Sequence, residues 1–256
     1  MKRRALLALA LGLCLALGAQ PRPTVMVIAA AGDLRGALEE VQAAFEARHP
    51  EAGLQLSFGA SGNLTAQIRQ GAPFDIFLAA DTGFPEAVQQ AGLATADGLF
   101  PYAKGSLTLW VRKDLNLDPA RDGLKVLLQP GVKKVATANA QMAPYGRAGE
   151  AALRHAGLYD AVKPRLVFAD NIAQAAQFLQ AGAAEAGLIS YSQARNPALQ
   201  QTGVAWKVPD GTYPPLIQAG VILKRTASPE PARAFMAFLV GPEGQAILAR
   251  HGFGRP

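Results

Sequence analysis

The chain has 256 residues, 50% of them hydrophobic, with 25 Lys and Arg against 19 Asp and Glu, a formal charge of +6 and one cysteine. A single cysteine excludes an intrachain disulfide framework and a thiolate metal centre. The basic residues are dispersed and not interleaved with aromatics, which leaves no case for nucleic-acid binding.

Met1-Lys-Arg-Arg4, the apolar run Ala5 to Leu17 and the small pair Gly18-Ala19 read as a cleaved signal peptide over residues 1–19. The run is shorter than the roughly 20 residues a membrane span requires. Cys14 could suggest lipid attachment, but the bulky Leu13 before it argues against this. Cleavage removes Lys2, Arg3 and Arg4, so the mature charge is half of the formal +6. It also removes the only cysteine, and export without disulfides suits a bacterial periplasm. About 237 residues remain, enough for one large domain or two lobes.

Val27 to Ala31 is fit for a buried strand, and Gly32-Asp33 turns it into an amphipathic helix carrying Leu34, Leu38, Val41 and Phe45 at the 3.6-residue period. Asp33 is a natural N-cap, and a helix start is a seat for an anion. Leu54, Leu56 and Phe58 alternate as a strand, which enters Gly59-Ala-Ser-Gly62 and a helix from about Asn63 to Gln70. A third strand at 75–79 and a helix near 85–91 follow, then a loop over 100–105 and a strand through Leu107, Leu109 and Val111. The middle gives a strand near 132–137, the loop containing Pro144-Tyr-Gly146 and a helix to His155. A strand at 165–168, the corner Ala169-Asp-Asn-Ile172 and a helix to Ala181 come next, then a short strand at 186–191. Segments 203–208 and 216–223 read as a β-pair across a Pro-rich turn, and helices at 229–239 and 242–250 close the chain. Strands alternating with helices argue an α/β fold with mainly parallel sheets and ligands at the strand carboxyl ends. No linker separates domains, so one sheet and two lobes both remain open.

Catalytic signatures are absent. His49, His155 and His251 do not cluster and have no partner at metal-ligand spacing. No nucleophile elbow, Walker loop or dinucleotide fingerprint occurs. Ser61 has no base placed by sequence, so an exported hydrolase is the minority reading. What remains is four small polar corners at strand ends: Gly32-Asp33, Ser61-Gly62, Pro144-Tyr145-Gly146 and Asn171-Ile172. Each alone is an ordinary turn. Together they offer backbone N–H groups, a hydroxyl and a phenol, a donor-only set suited to an oxyanion whose oxygens only accept.

Ala29-Ala-Ala-Gly-Asp-Leu, Phe58-Gly-Ala-Ser-Gly-Asn-Leu-Thr-Ala-Gln-Ile68, Gly71-Ala-Pro-Phe-Asp-Ile-Phe-Leu-Ala-Ala-Asp81, Ala143-Pro-Tyr-Gly146 and the C-terminal Phe235 to Phe253 segment resemble the periplasmic molybdate-binding proteins of ABC importers. The resemblance covers essentially the whole mature chain. It implies a two-lobed periplasmic-binding-protein fold of type II, lobe 1 from 24–105 with 224–256 and lobe 2 from 106–223. It also implies molybdate or tungstate held between the lobes, a permease and an ATPase as partners, and a monomer without cofactor or catalysis. Molybdenum would be present only within the oxyanion, with no protein ligand to the metal. Carried over by position, the ligand shell is Gly32, Asp33, Ser61, Tyr145 and the N–H of Ile172. Ser190, where another branch of the family has tyrosine, is not carried over, and neighbouring Tyr191 reads as structural. Phosphate, phosphonate or a small organic acid is the alternative ligand. Selectivity over sulfate would come from cage size.

One position departs from the family pattern. Relatives commonly place a neutral donor at the first corner, and this chain has Asp33. An ionised carboxylate 4 Å from a dianion is repelled by roughly 8 kcal/mol at an effective dielectric of 20, as much as a micromolar ligand gains by binding. Three arrangements avoid this: Asp33 caps its own helix, Asp33 is protonated, or the ligand brings the proton. The first is expected, because Asp is a common N-cap.

Overall fold

The computed structural model describes residues 24–256, and the expected signal segment with Cys14 lies outside them. Among the described residues no helix is long and apolar enough to cross a membrane. Ten strands among the described residues form two five-stranded sheets. The first contains β1 (Thr24–Ala31), β2 (Ala52–Gly59), β3 (Ile76–Ala79), β4 (Phe100–Gly105) and β10 (Leu216–Ile222) in the order β2-β1-β3-β10-β4. The second contains β5 (Leu107–Arg112), β6 (Val135–Ala138), β7 (Leu166–Ala169), β8 (Ala186–Ser190) and β9 (Gly203–Lys207) in the order β7-β6-β8-β5-β9.

Both sheets are mixed, and by the same device. In each, β-α-β units place strands in parallel, and one strand runs against them: β10 against β3 and β4, β5 against β8 and β9. These are the two strands that enter directly from the other lobe. The fold is therefore two-lobed, of type II, with the chain crossing at Ser106 and again between β9 and β10.

Seven helices of eight residues or more flank the sheets: α1 (Arg35–Arg48), α2 (Ser61–Arg69), α3 (Gly83–Gln90), α4 (Pro144–His155), α5 (Ile172–Gln180), α6 (Pro229–Val240) and α7 (Pro242–Arg250). Helices α1, α6 and α7 cover one face of the first sheet through Leu38, Val41, Phe45, Phe235 and Leu248. Helices α2 and α3 cover the other face through Leu64, Ile68 and Val88. Full burial of each such aliphatic or aromatic side chain stabilises the fold by roughly 1.5–3 kcal/mol. Trp110, Leu188, Val135 and Leu153 centre the core of the second lobe.

Three expectations are corrected. The segment 100–105 is strand β4, not a loop. It tolerates Pro101 because it is the edge strand of its sheet, paired with β10 on one side, with a bulge at Gln218/Ala219, and met on the other only by a single bridge from Lys104 to Gly254. Segments 203–208 and 216–223 do not pair with each other: β9 joins β5, and β10 inserts between β3 and β4. Alternating apolar residues identify a strand without identifying its sheet, and the turn at Pro209 to Pro215 carries the chain between lobes. The second crossing therefore precedes Leu216, so 216–223 belongs to lobe 1 and not to lobe 2.

The crossings are stitched together. Leu107 donates its N–H to the Tyr213 hydroxyl at 3.1 Å, and Lys104 pairs with Asp210 at 2.8 Å. In lobe 2, β9 is held tightly against β5. The Trp110 indole donates to the Leu199 carbonyl at 2.9 Å, and a Cβ on Gly203 would fall 1.9 Å from Trp110 Cε2. Gly203→Ala is expected to destabilise the protein by about 1–3 kcal/mol, the usual cost of overpacking. The effect should be read as a lowered urea midpoint with unchanged slope.

Candidate functional site

The four corners meet in the cleft. In lobe 1, β1 ends in a tight 3-10 turn, Gly32–Leu34, before α1 begins at Arg35. In the same lobe, β2 leads through Ala60 into α2, whose first residue is Ser61. Lobe 2 presents the starts of α4, with Pro144 and Tyr145 in its first turn, and of α5 at Ile172. Helix starts carry N–H groups without intrahelical partners and the positive end of the macrodipole.

Close approaches across the cleft fix which corner faces which. A Cβ on Gly32 would stand 3.1 Å from Asn171 Oδ1 and 3.3 Å from the Ala173 N, so a glycine is what allows the first corner to abut the start of α5. Gly62 donates its N–H to the Met142 carbonyl at 2.9 Å, joining the Ser61 corner to the loop before Tyr145. Ser192 Oγ donates to the Asp33 carbonyl at 2.9 Å and Gln193 Nε2 to the Gly32 carbonyl at 3.0 Å. Arg147 on α4 pairs with Asp81 after β3. The lobes are closed on each other.

Gly32, Asp33, Ser61, Tyr145 and Ile172 are all buried, the four with side chains exposing 4% or less. Ser61 Oγ accepts the Ala80 N–H at 3.1 Å, which leaves its own proton to give. The Asn171 side chain accepts from the Gln174 N–H at 3.0 Å, so it caps α5 while the Ile172 N–H stays available. Ser190 caps the following turn, accepting from the Gln193 N–H, and its hydroxyl meets that of Ser192 at 3.0 Å. Among the described residues no group of three His, Cys, Asp or Glu could hold a metal. The histidines stand apart from Ser61: His49 faces Glu51, His251 faces Glu40, and His155 is exposed at the end of α4.

Asp33 does not cap its helix. The 3-10 turn moves the α1 N-cap to Leu34, and neither helix start receives a side-chain cap. The carboxyl instead turns inward, with Oδ2 2.5 Å from Gln218 Nε2, and Oδ1 is buried without a partner. Tyr145, the phenol from lobe 2, also faces it and lies 3.4 Å from the same Gln218 atom. Burial pushes the Asp33 carboxyl up to about 6, against the opposing hydrogen bonds of Gln218 and Tyr145. Burial likewise raises the Tyr145 phenol, with the Asp33 charge adding to it, so it stays protonated and a donor.

Sequence reasoning missed Gln218 and Tyr102. Tyr102 Oη lies 2.8 Å from the Ala79 carbonyl and 3.0 Å from Gln218 Oε1, all fully buried. The available signal was a lone glutamine within the apolar run Leu216–Ile222. Gly105 was missed as well: a Cβ there would fall 2.2 Å from the Tyr145 hydroxyl.

This geometry coincides with a family. The profile of the bacterial extracellular solute-binding protein family matches residues 26–254. The chain belongs to that family. Among solute-binding proteins similar to it, the molybdate-binding protein ModA of Rhodobacter capsulatus is 35% identical over 96% of this chain and 94% of its own length. ModA of Azotobacter vinelandii is 38% identical over 77% of each chain. The solved structure of the Azotobacter vinelandii periplasmic molybdate-binding protein superposes with a TM-score of 0.83 at 34% identity, covering 90% of this chain and 99% of that one.

A solute-binding protein must open to exchange its ligand, and Gly32 sits where the first corner abuts the start of α5. Gly32→Val is expected to weaken anion binding at least tenfold, about 1.4 kcal/mol, because the branched side chain meets α5 only on closure. Small-angle scattering should show that anion no longer compacts the variant, while its anion-free melting temperature stays near that of the wild type.

Proposed function

We propose that this chain is a periplasmic binding protein that captures molybdate, and tungstate, between its lobes and presents the closed form to the permease and ATPase of an ABC importer. The observation that carries the reading is the convergence of four strand-end corners into one closed, donor-rich cleft. The Ser61 hydroxyl, the Tyr145 phenol, the N–H groups of the Gly32 turn and the N–H of Ile172 supply the shell. The relatives of 35% and 38% identity, named as molybdate-binding proteins, support molybdate as the anion, and the solved Azotobacter vinelandii protein, named as periplasmic, supports the periplasm as the place.

The work is capture by closure, with no bond made or broken. A desolvated oxyanion costs free energy unless each oxygen meets a donor, and preformed N–H groups at helix starts need no rearrangement to meet it. The protein acts as a monomer, without cofactor, and touches molybdenum only through oxygen. Ser61 serves as a hydrogen-bond donor and not as a nucleophile.

A thermal-shift screen of the mature protein tests this. Molybdate and tungstate at a hundredfold excess over Kd should stabilise it by about 2.7 kcal/mol. Sulfate and phosphate should not. A response to phosphate alone would overturn the reading in favour of an anion that carries its own proton to Asp33. Titrations of Ser61→Ala and Tyr145→Phe should each show a loss of about 1.5–3 kcal/mol, the worth of a hydrogen bond to a charged group. Unchanged affinity would remove that residue from the shell.

A further inference from the structure

Asp33 is buried, its Oδ1 has no partner and its Oδ2 faces the neutral Gln218 amide, so an ionised carboxylate there would be an uncompensated buried charge. Tyr102 has a single hydroxyl proton but two acceptors, the Ala79 carbonyl at 2.8 Å and Gln218 Oε1 at 3.0 Å. The Gln218 atom facing Asp33 lies 2.5 Å from Oδ2. Turning the Gln218 carboxamide by 180° exchanges its nitrogen and oxygen. The NH2 then donates to Tyr102, Tyr102 donates to Ala79, and the amide oxygen faces Asp33 Oδ2. This arrangement satisfies Tyr102, Gln218 and Oδ2 together only when the carboxyl carries the proton.

Nothing charged nearby substitutes for that proton. On α1, Arg35 pairs with Glu39 at 4.0 Å and both are exposed. On α4, Arg147 is held by Asp81. The turn over Tyr191–Ala194 offers neutral Ser192 and Gln193, β4 offers Tyr102, β10 offers Gln218, and α5 offers Asn171. Arg195 and His251 line the outer cleft of about 280 Å³ beside Asp33, with His251 held by Glu40. None of these cations is among the influences on the Asp33 carboxyl, which are burial, Gln218, Tyr145 and its own backbone.

Resting on the oxyanion reading above, we propose that closure over the dianion takes up one proton on Asp33, so that the protein captures anion and proton together and releases both on opening. Asp33 is covered by residues of both lobes. Gln218 and Tyr102 stay with it in lobe 1, while Tyr145, Ser192 and Gln193 arrive from lobe 2. Opening removes the lobe 2 cover and returns water to the carboxyl, which lowers its proton affinity. The sign follows: a carboxyl whose proton affinity is higher in the closed state favours closure at low pH, and that gain is lost as pH rises through about 6. The anion, a second negative charge in the closed cleft, moves that loss to higher pH. At neutral pH the reopened site holds an ionised carboxylate beside the departing anion, which speeds discharge.

Calorimetric titration of the wild-type mature protein with molybdate, in buffers of different ionisation enthalpy between pH 6.5 and 8.5, tests the proposal directly. The expected result is uptake approaching one proton per anion at pH 8, with affinity falling close to tenfold per pH unit at the alkaline end. Asp33→Asn should bind with no proton uptake and with affinity independent of pH. Molybdate binding by the wild type with no proton uptake and flat affinity would overturn the proposal and leave the function reading intact. Absence of molybdate binding at every pH would overturn the function reading and the proposal with it.

Discussion

A cleft that closes over a multiply charged oxyanion must replace the water on every oxygen with a donor, and must do so without leaving an acceptor pointed inward. The two sheets are arranged for this. Each carries parallel strands whose carboxyl ends and following helix starts point into the cleft, and each receives one antiparallel strand from the other lobe. The antiparallel strands are where the chain crosses. The same strands therefore serve as hinge and as wall of the site, and the Leu107–Tyr213 hydrogen bond ties one crossing to the other.

That dual use explains the small residues at the seam. Gly32 faces the start of α5 and Gly105 faces the Tyr145 phenol, at distances a methyl group would not permit. Both lie where the lobes approach rather than within a core. Their loss would act on the open-to-closed equilibrium, whereas substitution at Gly203 acts on folding itself. The two effects separate because the closed state is one of two states available to a folded chain, and only that state contains the contact.

Much of this was legible in the residues. The corners at Gly32, Ser61, Tyr145 and Ile172 stand out because a buried strand gives way abruptly to a helical period, and the structure brings all four together. The strand over 100–105 was not legible, since Pro101 reads as a breaker until the strand is known to lie at a sheet edge. The second crossing was misplaced because alternation in Leu216–Ile222 says nothing of which sheet receives it. Asp33 was read as an N-cap because the single-residue signal cannot show a 3-10 turn that moves the helix start one residue on. Its true partner, Gln218, lies 185 positions away in sequence, and no local pattern reaches that far.

The placement of Gln218 also bears on why a carboxyl survives at such a seat. β10 follows the second crossing and β4 precedes the first, so Gln218 and Tyr102 bind the Asp33 corner to both ends of the hinge. A neutral side chain at position 33 would hold the anion equally well by hydrogen bonding but would leave the hinge strands indifferent to whether the cleft is open. With Asp33, the hydrogen-bond pattern across β4 and β10 changes when the carboxyl gains or loses its proton, because the amide of Gln218 meets a donor in one state and an acceptor in the other. The charge state of the seat and the state of the lobes are then two descriptions of one equilibrium, linked through a single buried amide.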